Sequence, residues 1–248
     1  MPTKMKIIAM IPARYAATRF PFKLMKQLGT KTVIRHTYDN TVATGLFTEV
    51  YVVTDSELIF NEIVKNGGKA IMSVQQHESG SDRIAEAVEN IDADVVLNVQ
   101  GDEPFVKKEP VNNLLKVFED KQVQVASVMK KITNQSLLHN PNYVKVVTDK
   151  NKNALYFSRS PIPYLRDEKL AADYYEHIGV YAFQKKALMR FAKWPASKLE
   201  QYEKLEQLRY LENGVAIRMV ETSEETVKID VPEDLAAAEK YLLNFKNF

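Results

Sequence analysis

No cysteine occurs in the 248 residues, which excludes disulfides and thiolate metal sites and favours an intracellular setting. Neither charge sign is in real excess. The 34 basic residues face 32 acidic ones for a formal net charge of +2, so no broad electropositive surface for nucleic acid is expected and any anion site must be local. Long apolar runs are also missing. After Met1-Pro-Thr-Lys-Met-Lys6 the apolar stretch runs only from Ile7 to Pro12, and Ala13-Arg14 follow, too short for a signal-peptide core or a membrane span. The chain has neither a P-loop nor a glycine-rich dinucleotide fingerprint, so ordinary ATPase and dehydrogenase readings lose ground. Repeats, low-complexity tracts and Pro/Gly/Ser-rich linkers are absent too. A cytoplasmic protein with no membrane and no nucleic-acid partner is expected.

What is present reads as globular, with 45% hydrophobic and 27% charged residues. A single domain over 1–248 is expected, with a subsidiary extension around 123–183. Apolar runs at Lys6 to Pro12, Glu49 to Thr54 and Asp94 to Gln100 look like buried parallel strands. Helix-compatible spacing fills the gaps at Thr32 to Ala43, Glu57 to Asn66 and Asp82 to Asn90, with Asn66-Gly67-Gly68 as a helix stop. This rhythm predicts an α/β fold with a doubly wound, mostly parallel mixed sheet. Ligands in such sheets bind beyond the carboxyl ends of the strands, which points to the loops after Met10, Val53 and Val99.

Short strand candidates follow at Val123 to Lys131, Tyr143 to Thr148, Ala154 to Ser158 and Ile178 to Phe183, predicting a small β-rich extension. Leu199, Tyr202, Leu205, Leu208 and Leu211 recur at near three-residue spacing and predict one long amphipathic helix over 198–213, stopped by Gly214. A terminal helix is expected over 234–243, with Pro232 near its first turn.

Arg14, Arg19 and Lys23 lie in one loop directly after the first strand. Forked arginine donors and a compact ammonium suit a polyphosphate, although a solvated basic loop would look the same. Asp102 and Glu103 follow a strand, where a carboxylate can face the ligand crevice, and Asp230 stands at what reads as another strand end. Such oxygens suit magnesium, which needs only one or two carboxylates beside phosphate and water; a turn at Gly101-Asp102 is the simpler alternative. His77-Glu-Ser-Gly-Ser-Asp-Arg83 either permits close backbone approach to a nucleotide or caps a helix through Ser81 or Asp82. Arg159 offers a bidentate grip on a carboxylate. His177 alone reads as a structural or surface histidine. Glu203, Glu206 and Gln207 share either a substrate-facing or a solvated helix face.

Taken in order, Ile11-Pro-Ala-Arg14, Thr18-Arg-Phe-Pro-Phe-Lys23, His77 to Arg83, Asn98-Val-Gln-Gly-Asp102, Lys204-Leu-Glu-Gln-Leu-Arg209 and Lys228-Ile-Asp230 resemble the sugar-nucleotide cytidylyltransferases. Ser158-Arg-Ser-Pro-Ile-Pro163 with His177-Ile-Gly-Val-Tyr181 resembles the branch acting on 3-deoxy-manno-octulosonate (Kdo) rather than on sialate. The resemblance spans about Ile7 to Leu235. One departure is clear: the family pattern carries glycine where this chain has Phe22.

The resemblance implies a nucleotide-diphosphosugar transferase fold and a CTP-dependent transfer in which the anomeric hydroxyl of Kdo attacks the α-phosphorus. CTP and Kdo would be the substrates, Mg2+ the cofactor, and a cytoplasmic homodimer feeding lipopolysaccharide assembly the setting, with the extension serving substrate and dimerisation. It gives Arg14, Arg19 and Lys23 to the phosphates and Asp102 and Asp230 to the metal. Ser79, Gly80 and Arg83 go to the nucleotide, Gln100 to substrate binding, and Arg159, His177, Glu206 and Gln207 to the sugar. A sialate cytidylyltransferase and a catalytically silent nucleotide-sugar binding protein are the alternatives.

Overall fold

A computed structural model describes residues 5–15, 20–75, 77, 79–167, 169–225 and 227–245. In chain order the elements are β1 (Ile7–Ala13), β2 (Gln27–Leu28), β3 (Lys31–Thr32), α1 (Val33–Ala43), β4 (Glu49–Thr54), α2 (Glu57–Lys65), β5 (Ala70–Met72), α3 (Gly80–Val88), β6 (Val95–Asn98) and α4 (Lys108–Lys116). They continue with β7 (Val125–Lys131), β8 (Lys145–Thr148), β9 (Ala154–Ser158), β10 (Tyr175–Gln184), α5 (Lys185–Phe191), α6 (Lys198–Glu203), α7 (Gln207–Glu212), β11 (Ile217–Thr222) and α8 (Pro232–Leu242). The chain forms two compact units, Met1–Asn112 with Glu225–Phe248, and Asn113–Glu224. Residues 123–183, where an extension was expected, fall in the second.

The first unit is built on four parallel strands in the spatial order β6, β1, β4, β5. Ile8 to Ile11 and Val95 to Leu97 are buried along consecutive positions, so both faces of these strands are covered. Removing each of these side chains other than that of Ala9 from water contributes about 1.5–3 kcal/mol before chain entropy is set against it. Thr32 caps α1 by accepting from the Arg35 backbone N–H, and Pro232 opens α8, where its missing N–H costs nothing. This is the parallel α/β architecture the strand rhythm predicts. β5, only three residues long and not fully buried, had no run long enough to announce it.

In the second unit β7 runs parallel to β11 and antiparallel to β10, and β8 pairs antiparallel with both β10 and β9. β10 is longer than expected and carries a register shift between Ile178 and Tyr181. The Ser127 hydroxyl faces that irregularity, 2.8 Å from the Val180 carbonyl oxygen and 3.2 Å from that of Ile178. The single helix expected over 198–213 is two helices. Lys204 takes a left-handed conformation (φ 54°, ψ 49°) that ends α6, and α7 starts afresh at Gln207. Three-residue steps lag a 3.6-residue turn by about 60° each, so four of them leave one face of a helix. Tyr202, 78% exposed, shows the lag directly. Arg209 then joins the two short helices through a buried ion pair with Glu200 (2.5 Å), its guanidinium also 4.1 Å from the Phe191 ring centre.

Candidate active site

In the first unit three of the expected residues meet. The Lys23 ammonium lies 2.5 Å from Asp102 Oδ2 and 2.9 Å from Asp230 Oδ1. Lys23 opens a single 3₁₀ turn, and the residue before it, Phe22, is left-handed (φ 61°, ψ 21°). That backbone explains why the family pattern carries glycine there. Phe22 adopts it nonetheless, with its ring 4.4 Å from that of Tyr15 and 45% exposed.

Asp102 is placed by a turn held from several directions. Thr37 and Asn40 on α1 donate to the Gly101 and Pro104 carbonyls at 2.9 and 2.6 Å, and the Ile229 N–H donates to the Asp102 carbonyl at 3.0 Å. Gly101 is required by close approach: an added Cβ would stand 3.0 Å from the Pro12 carbonyl oxygen. Asp230 was expected at a strand end. It lies instead in the irregular segment entering α8, because Asp234 accepts its N–H (2.8 Å) and that of Val231 (3.0 Å), turning the chain into the helix.

Sequence reasoning missed Lys228, whose ammonium is 4.0 Å from Asp102 and 3.8 Å from Asp230. Its spacing of two from Asp230 was the available signal, since alternate residues of an extended segment share a side. Burial disfavours the charged form of Lys23, but the Asp102 and Asp230 carboxylates outweigh it and the pKa is raised. The Glu103 pKa is raised too, which for a carboxylate disfavours the charge: burial first, then Asp102, push it up to about 7, against the pull of Lys228.

These oxygens suit magnesium. Two carboxylates converge on one cationic centre, the Lys23 ammonium, and both offer hard donors. Among the described residues no cluster of three or more His, Cys, Asp or Glu is placed to hold a metal, so phosphate and water would complete the shell, as magnesium commonly requires.

Arg14, just past β1, is exposed, and Arg19 lies outside the described residues. Ser79 is the α3 cap: its hydroxyl oxygen accepts the Asp82 N–H at 3.0 Å, so neither Ser81 nor Asp82 takes that role. Gly80 packs where a Cβ would meet Pro12 at 3.2 Å. Arg83 is 1% exposed and donates to Asp55 Oδ2 at 2.6 Å, while its Nε and Nη1 are buried with no acceptor among the described residues. Asp55, the anchor of that guanidinium, was not anticipated. Gln100 is half-buried in the turn before Asp102, accepting the Glu103 N–H at its carbonyl (3.1 Å).

The second unit gathers the other expected residues. His177 is buried, with Nδ1 3.3 Å from Gln207 Nε2 and Nε2 2.9 Å from Ser127 Oγ. Because an amide nitrogen only donates, Nδ1 is the acceptor and Nε2 carries the proton. Burial lowers the His177 pKa to about 3, so the ring is neutral. Arg159 is fastened to backbone: Nε, Nη1 and Nη2 donate to the carbonyls of Glu203 (2.7 Å), Pro141 (2.8 Å) and Lys204 (3.3 Å). Glu203 returns the grip, accepting from the Ser158 hydroxyl at 2.6 Å and the Arg159 N–H at 2.9 Å. Lys145, read from sequence only as part of a strand, is fully buried and donates to the carbonyls of Asn140, Tyr143 and Arg159. Glu206 is half-buried at the start of α7.

Against known proteins, the family described as cytidylyltransferase matches residues 8–224. The 3-deoxy-manno-octulosonate cytidylyltransferase of Flavobacterium johnsoniae is 59% identical over 96% of this chain and 99% of its own length. That of Christiangramia forsetii is 57% identical over 97% and 98%. A solved structure of CMP:2-keto-3-deoxy-manno-octonic acid synthetase complexed with CTP superposes with a TM-score of 0.91 at 36% identity, covering 96% of this chain and 99% of that one. The 4-diphosphocytidyl-2C-methyl-D-erythritol synthase of Anaerococcus prevotii, at 18% identity and a TM-score of 0.63, shares the fold alone. With near-complete coverage by relatives of such identity, the chain belongs to the 3-deoxy-manno-octulosonate cytidylyltransferase family.

Proposed function

We propose that this enzyme joins the CMP portion of CTP to Kdo, releasing pyrophosphate. The observation that carries the chemistry is the meeting of Lys23, Asp102 and Asp230 beyond the strand ends of the first unit. Transfer at phosphorus depends mainly on positioning and on charge stabilisation, so no side-chain nucleophile is needed. Lys23, with Arg14 and Arg19, would bind the triphosphate and stabilise charge on the departing pyrophosphate. Magnesium held by Asp102 and Asp230 would supply Lewis-acid neutralisation of phosphate charge.

Arg83, with two buried donors unmet among the described residues, is suited to accept a polar ligand group, and with Ser79 and Gly80 it is assigned to the nucleotide, Gln100 to substrate binding. Arg159 is assigned to the sugar carboxylate, which it would meet through the Nη1 and Nη2 hydrogens that its three carbonyl bonds leave over. His177, neutral and with both ring nitrogens already partnered, would orient Gln207, which would offer hydrogen bonds rather than charge, with Glu206 beside them. We place the enzyme in the cytoplasm as a homodimer serving lipopolysaccharide assembly; no helix among the described residues is long and apolar enough to cross a membrane.

Pyrophosphate release with CTP and magnesium, measured with Kdo, with sialic acid and without sugar, tests the assignment. Release with Kdo alone is expected. Release only with sialic acid would keep the chemistry and change the substrate, and no release with either would leave a silent nucleotide-sugar binding protein.

A further inference from the structure

We propose that Lys23 is an internal counter-cation that keeps the Asp102–Asp230 pair closed to a divalent ion until a nucleoside triphosphate arrives. The inference rests on the assignment of those two aspartates to the metal. The ammonium contacts both carboxylates, at 2.5 and 2.9 Å, and so occupies the point on which they converge. A cation held by the same two carboxylates would therefore compete with the lysine in its present position.

Lys228 strengthens the effect without touching the pair closely. At 3.8 and 4.0 Å it contributes a second positive charge against the same two carboxylates. Two lysines offset the charge of the two aspartates, so the pair draws in a dication less strongly than it would bare. The lysines also prevent the repulsion that two neighbouring carboxylates would suffer in the unliganded protein.

A triphosphate reverses this balance. Its oxygens carry more negative charge than either carboxylate, and the flexible four-carbon lysine stem can turn to them without backbone movement. The same oxygens complete the metal's shell. Metal and nucleotide then raise one another's affinity by linkage, and the release of Lys23 is the shared event.

Manganese(II) binding to the nucleotide-free protein, followed by the electron paramagnetic resonance of the free aquo ion, gives a readout independent of turnover. Lys23→Gln should bind manganese about tenfold or more tighter than the parent, the scale of one lost charged contact. Lys228→Gln should shift the same way by a smaller factor. A non-hydrolysable CTP analogue should tighten manganese binding to the parent more than to Lys23→Gln. Equal or weaker manganese binding in Lys23→Gln, where parent binding is lost in Asp102→Asn, would overturn the lysine's role and keep the metal assignment. Manganese binding indifferent to Asp102→Asn in either background would overturn the metal assignment and the inference with it. Should Lys23→Gln fold poorly by circular dichroism, the direction of the Lys228→Gln shift and the analogue dependence of the parent decide the matter.

Discussion

The candidate-site residues of the two units are held in different ways. In the first, charged side chains satisfy one another: Lys23 and Lys228 face Asp102 and Asp230, and any of these partners can be exchanged for an ion of the same sign. In the second, side chains are committed to backbone. Arg159 and Lys145 donate to carbonyls, and Glu203 accepts a backbone N–H along with the Ser158 hydroxyl. Charge pairs with exchangeable partners suit a place where phosphate and metal come and go. Backbone-anchored groups suit a place that must keep its shape for a sugar with many hydroxyls, because a group already held loses little freedom on binding.

The largest expected break in this contrast is Asp102→Asn. Turnover should fall by about 10²–10³-fold, as for loss of a main electrostatic stabiliser, with the melting temperature little changed; parallel pyrophosphate-release and thermal scans check this. In the second unit the reverse is expected. Arg209→Met strands the Glu200 carboxylate in a buried site and should cost about 3–5 kcal/mol of stability by urea titration, while the refolded fraction keeps its nucleotide requirement.

His177 sharpens the contrast through pH. Its folded pKa, about 3, lies below that of an unfolded histidine, so between those values the unfolded chain binds the extra proton. The stability it allows is full above the unfolded value and falls as pH drops towards 3, at a limiting slope of about 1.4 kcal/mol per pH unit. His177→Gln should remove that component from the acid limb of a stability-versus-pH curve; an unchanged limb would show the ring to be more solvated than its burial implies. The smallest effect is expected for Phe22→Gly. Relief of the left-handed backbone is offset by the greater freedom of glycine in the unfolded chain and by loss of the Tyr15 contact, so stability should move by about 1 kcal/mol at most.

The parallel strands were legible because burial on both faces writes itself as an apolar run: β4 begins and ends where its residues suggest. The elements that sequence did not announce, β2, β3, β5, α4, α5 and β11, are short or half-exposed, or, as in α4, contain proline. The break between α6 and α7 was written in the leucine spacing, which is too short for one helical face, but it was read as amphipathic. At the site, the motif residues could be named because each sits beside a strand end or cap. Their partners could not, because Lys23 meets an aspartate 207 positions away, and no local pattern specifies such a pair. Lys145 shows the same limit, a lysine in a strand that reads as surface until the carbonyls around it are known.

The run of hydrogen bonds from Gln207 through His177 and Ser127 to the bulged carbonyl of Val180 has one direction, each group passing on the donor role. Such a run fixes the imidazole as a permanent dipole with a single tautomer. It can orient what lies against it, but with both ring nitrogens engaged and the pKa lowered by burial, the ring is a poor place for a migrating proton to land.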